Sequence, residues 1–140
     1  MSLDLPEYYF RIRENGAAVF RVDTQNRQRR IEMDQIAVVN IRNGEIKPQG
    51  GRELTPTDMA RITQWMAERV ALLAQRDIDD IHRAVDYLNL TTQWAQSKGT
   101  DEQLEHVTDA LLLAMHDLRS VLVRKKAERL MGRAPSTGED

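Results

Sequence analysis

Between Thr57 and Lys98 the chain contains neither glycine nor proline, and the same holds from Thr100 to Met131. These are the two residues that disfavour a helix interior most, by about 1 and 3 kcal/mol relative to alanine. Two long helical tracts are therefore the first constraint on any fold. Their starts are signposted. In Leu54-Thr55-Pro56-Thr57-Asp58-Met59, Thr55 suits the N-cap, Pro56 the first helical position, and Asp58 can close a capping box, with Leu54 against Met59 as a hydrophobic staple. Gly99 suits a helix C-cap, and Thr100 with Gln103 forms a second box. Gly132 is expected to stop the last helix and to leave residues 133–140 as a disordered tail.

Apolar spacing assigns faces to these tracts. Met59, Ile62, Met66, Val70 and Leu73 form one stripe; Ala74, Ile78, Ile81, Val85, Leu88, Thr92 and Ala95 form another with the four-three spacing of a heptad seam. The stripes do not share a phase, which predicts a break or kink near Gln75 to Asp77, with Asp77 capping a new helix. After Gly99, Leu104, Val107, Leu111, Met115, Leu118 and Leu122 line one face. Asp101, Glu102 and Glu105 occupy the positive end of that helix, and Arg124, Lys125, Lys126 and Arg129 its negative end. The short connection from Ser97 to Thr100 makes the flanking helices an antiparallel hairpin.

The first third reads as strands. Tyr8 to Arg13 alternates, with Tyr8, Phe10 and Ile12 on one face. A Glu14-Asn15-Gly16 loop with Gly16 left-handed would oppose Tyr8 to Val22, Phe10 to Phe20 and Ile12 to Ala18, an all-apolar face, and would leave Arg11, Arg13 and Arg21 on the polar side. A third strand is expected around Arg30 to Met33. Ile36 to Ile41 suits a buried strand, although Met33 to Val39 could make a turn of helix. A two-residue Asn43-Gly44 turn would set Ile41 opposite Ile46, with Pro48 ending the strand. The fold class is α+β: a small N-terminal antiparallel β-meander followed by long amphipathic helices that include the hairpin. Residues 1–132 form one domain, with the sheet over about 8–48 and the helices over about 56–131.

Composition narrows the function classes. The 140 residues contain no cysteine, which excludes disulfides, thiolate zinc sites and cysteine nucleophiles. Net charge is −2, with basic and acidic residues spread over both halves, so bulk charge favours neither nucleic acid nor an anionic membrane. No stretch approaches a membrane span, and Met1 to Tyr9 lacks the pattern of a signal peptide, so the cytoplasm is the expected compartment. Sixteen arginines against four lysines suggest a GC-rich, bacterial coding sequence. No P-loop, GxGxxG, GxSxG or HExxH occurs, which lowers the expectation of catalysis and indicates no cofactor.

Three candidate surfaces follow. Helices of 20 to 30 residues exceed what such short strands can cover, so the leading expectation is a non-enzymatic interaction or regulatory protein. It self-associates, or docks on another protein, through Ile78, Ile81, Val85 and Leu88 with Leu104, Leu111 and Leu118 of the hairpin. The alternative is a nucleic-acid-binding regulator using Arg27, Arg29 and Arg30 on the loop after the second strand, with Tyr9 available to stack on a base. The bland reading of that loop is a solvated connection whose charge Asp23, Glu32 and Asp34 offset. The basic run Arg119 to Arg133 likewise reads first as dipole complementation. The third is a metal-dependent helical-bundle enzyme, with His82 and Asp86 one turn apart and His116 across the hairpin as ligands. Carboxylates one turn from histidine are common on any charged helix, and the paired ExxH of a di-iron bundle is absent. Trp65 and Trp94 read as packing residues.

Overall fold

In the computed structural model residues 5–24 and 30–137 are described, with side chains as far as residue 132. Strands β1 (Tyr8–Arg13), β2 (Gly16–Asp23), β3 (Glu32–Asn40) and β4 (Glu45–Pro48) precede helices α1 (Pro56–Ser97) and α2 (Asp101–Thr137). The strands form one antiparallel sheet in sequential order. By proximity the chain falls into two units, Met1–His82 and Arg83–Asp140, with the division inside α1.

Register decides what each sheet face carries, and both hairpins differ from the sequence expectation. The first turn holds Glu14 and Asn15, so Tyr8 opposes Arg21, Phe10 opposes Val19, and Ile12 opposes Ala17. Gly16 lies in β2 rather than in a left-handed bulge: a Cβ there would sit 1.9 Å from the Val39 carbonyl oxygen. The glycine is required by the close approach of β3, not by the turn. The one-residue difference sends Phe20 to the face opposite Phe10 and brings Arg21 to the same face as Tyr8. In the second hairpin four residues, Ile41 to Gly44, form the loop, and Ile46 opposes Val39 instead of Ile41. Asn40 shapes that loop, its Oδ1 accepting the Arg42 N–H at 2.8 Å, while Gly44 takes the positive φ of 76°.

β3 is one strand rather than two segments, with an irregularity where β2 passes from Val19 to Phe20 and β3 from Ala37 to Gln35. The extra residue, Ile36, is almost wholly buried. Tyr8, Ala17, Val19, Ile36, Ala37 and Val39 form the core with Ile62 of α1. Trp65 stacks parallel on Phe10, ring centroids 4.7 Å apart, and Leu54 and Met66 close the margin. Thus Ile62 and Met66 of the first stripe settle on the sheet, while Met59 and Val70 stay exposed.

α1 is continuous over 42 residues, so the expected break near Asp77 does not occur. Without glycine or proline nothing interrupts the ladder, and the phase change marks a change in what the helix faces. α2 likewise passes Gly132 and reaches Thr137, and residues 138–140 lie outside the described residues. An exposed glycine lowers helix propensity by only about 1 kcal/mol and does not by itself end a helix.

Candidate functional site

In the sheet-bearing unit the functional groups concentrate around Asp58. The capping box forms as expected: the Asp58 N–H donates to Thr55 Oγ1, and Asp58 Oδ2 accepts the Thr55 N–H, each at 3.0 Å. The same carboxylate also reaches across to the sheet. Its Oδ1 accepts the Tyr8 hydroxyl at 2.5 Å, and Oδ2 accepts Arg21 Nη2 at 2.6 Å. Asp58 is 1% exposed and is the buried charged side chain among the described residues. Burial alone would raise its pKa, but the hydrogen bonds from Tyr8 and Thr55, with the Arg21 charge, outweigh that and hold it below the ordinary carboxylate range. Burial, reinforced by the neighbouring carboxylate, pushes the Tyr8 hydroxyl up. Both oxygens of Asp58 are engaged, so the group is suited to holding helix to sheet rather than accepting a substrate proton. The sequence reveals the cap; the tie to Tyr8 and Arg21 becomes legible only with the correct register.

The outer sheet face carries Tyr9, Arg11 and Phe20. The Arg11 guanidinium lies 4.5 Å from the Phe20 ring centroid and 5.9 Å from that of Tyr9, and the two rings are tilted 6.1 Å apart. Phe20 itself is buried, with Tyr9 and Arg11 against it. Tyr9 and Arg11, candidates for base stacking and phosphate contact, are thus engaged with Phe20. Arg27 and Arg29 lie outside the described residues, and Arg30 is exposed beside them.

In the helical unit, α1 and α2 turn back at Lys98 to Thr100. Thr100 and Gln103 make the expected reciprocal bonds, at 3.1 and 3.2 Å. Gly99 sits beneath Trp94 and Leu104, whose side chains would lie 3.2 and 3.3 Å from an added Cβ. Half-buried residues here are confined to the turn end: Thr91, Trp94, Leu104, Val107 and Leu111, besides Gly99. Two apolar troughs result. One is lined by Tyr87, Leu90, Trp94, His106 and Val107, the other by Leu88, Thr92, Ala95, Leu104, Thr108 and Leu111 among others. The threonines do not make them polar, because Thr91, Thr92 and Thr108 each donate to the carbonyl one turn earlier, those of Tyr87, Leu88 and Leu104. A small polar ligand would find few free donors; an apolar helix face would find a matching surface.

The proposed interface residues divide accordingly. Leu104 and Leu111 pack at the turn, Leu88 lines a trough yet is itself exposed, and Ile78, Ile81, Val85 and Leu118 are exposed, Ile81 at 62%. The sequence reading did not single out Leu112, Leu113 and Leu130, which are also exposed; their positions outside the main stripe hid them. His82 and Asp86 share a helical face, and His116 approaches the neighbouring Asp117 at 3.4 Å. Among the described residues no three His, Asp or Glu side chains are placed to share a metal ion. No described helix is long and apolar enough to cross a membrane. No family model matches the chain, and neither a curated protein nor a solved structure is similar to it at a significant level.

Proposed function

We propose that this protein acts as a non-enzymatic assembly module whose helices associate with those of further copies of the chain. One observation carries the reading: large apolar side chains stand exposed along both helices from Val70 to Met131. In α1 only Asp58 and Ile62 are buried, and no described residue of α2 is. Soluble monomers seldom leave contiguous apolar patches larger than a few hundred Å² in water, so a surface of this kind calls for a cover. Helices also gain most of their stability in proteins from packing of an apolar face rather than from propensity. Another copy offers the same faces at the same concentration, and closed symmetric pairs are the commonest outcome.

The test is the mass in solution, by light scattering behind size-exclusion chromatography at moderate salt. A multiple of 16.1 kDa is expected for the native chain. Leu118→Glu, which places a charge on an exposed apolar position, is expected to shift the population towards the single chain while the sheet remains folded. A native chain that stays at monomer mass at high micromolar concentration would overturn the reading.

A further inference from the structure

The charges of α2 are more polarised than a solitary helix requires. Residues 101–109 hold four acidic side chains and no Lys or Arg, while residues 119–129 hold five basic side chains against Glu128. The acids suit the helix start. The bases lack that explanation, because α2 continues to Thr137 and its last turn carries no basic residue. The macrodipole acts within about one turn of an end, and Arg119 and Arg124 lie several turns inside. Arg124 and Lys125 both approach Glu128, at 3.9 Å in each case and in exposed positions, where such pairs contribute little to stability.

The apolar seam is divided in the same place. Its first half, Leu104, Thr108 and Leu111, forms one wall of a trough whose other wall is α1. In its second half Leu118 and Leu122 stand exposed at 54% and 59%. One half is a recess and the other a ridge, on one helix, with opposite charge.

Building on the self-association proposed above, we infer that α2 pairs antiparallel with α2 of a second copy about a two-fold axis near Leu112 and Leu113. Leu122 then meets the partner's Leu104, Leu118 meets the partner's Thr108, and Met115 meets the partner's Leu111. The ridge of each copy enters the recess of the other. Glu105 flanks this seam opposite the partner's Arg119, and Asp101 falls opposite the partner's Lys125. A parallel pair would set acid against acid and base against base.

Because the chain has no cysteine, single spin labels can be placed cleanly at Leu113→Cys, Glu102→Cys and Arg124→Cys in the full-length protein. Pulsed electron resonance on the assembled protein should give the shortest distance at position 113. The other two positions should match each other, with about 30 Å of additional separation along the axis from the 1.5 Å rise per residue. Equal distances at all three would mean a parallel pair, and a long distance at 113 would mean a contact through other elements. Either overturns the antiparallel seam while leaving self-association intact. Monomer mass with no intermolecular distance would instead overturn self-association itself. As an independent check, Glu105→Arg should weaken assembly roughly tenfold, from two like-charge contacts per pair of chains, and adding Arg119→Glu should restore it. Failure of that rescue would also overturn the seam.

Discussion

The sheet with the first turns of α1, and the helical hairpin, dispose of their apolar side chains in opposite ways. In the first, Val19, Ile36 and Ile62 are almost fully withdrawn from water, and the buried carboxylate of Asp58 has partners on both oxygens. In the second, comparable side chains at Ile81, Val85 and Leu118 remain at least half exposed. One polypeptide thus carries a region complete within the single chain and another whose packing is incomplete. If the helices self-associate as proposed, stability in the first is an intramolecular property, whereas in the second it depends on how much protein is present.

That contrast can be broken most forcefully at Ile62. Ile62→Ala should cost roughly 2 to 5 kcal/mol, read as a lower denaturation midpoint of the sheet's tertiary signal, because it leaves a cavity among residues that cannot readily collapse. Its effect should not vary with protein concentration. If it does, the sheet region is not self-sufficient. A smaller effect is expected from acid. Asp58 has a folded pKa below its unfolded value, so its stabilisation is fully present above about pH 4 and is lost as pH falls through the folded pKa. Asp58→Asn should flatten that part of the stability-against-pH curve measured by denaturant titration. The smallest expected change is Thr100→Ala, which removes the second cap at a cost of about 1 kcal/mol, read as a lower melting temperature of the helical signal. In an assembled sample that loss should shrink further as protein concentration rises, whereas a matching loss at Thr55→Ala should not.

The parts of this structure that the sequence discloses are those set by local chemistry. Both capping boxes, the α+β order and the two hairpin-forming ends of the sheet follow from spacing and residue type, whereas the segments read around Arg30–Met33 and Ile36–Ile41 are one strand, β3. The register of β1 on β2 does not. Matching Phe10 with Phe20 maximises apolar pairing across two strands, but the third strand presses the Val39 carbonyl against Gly16, and Arg21 is needed beside Asp58. Neither constraint is local. The phase change near Asp77 was visible, yet its meaning depended on which surfaces α1 faces, which spacing alone does not say. Among the candidate interface residues, pattern picked out the seam through Leu104, Leu111 and Leu118, but not that Leu104 and Leu111 are half-buried at the turn while Leu118 stands exposed.

The order of the sheet bears on how far assembly can run. β1 and β4 are its free edges. β4 is only four residues long, carries Glu45 and Lys47, and ends in Pro48, whose nitrogen has no hydrogen to offer a neighbouring strand. β1 carries Arg11 and Arg13 near its end. Charged, short or proline-ended edges resist strand addition. Growth by sheet extension, the route to open-ended fibrils, is therefore poorly served, and the proposed assembly through helices would leave these edges unused.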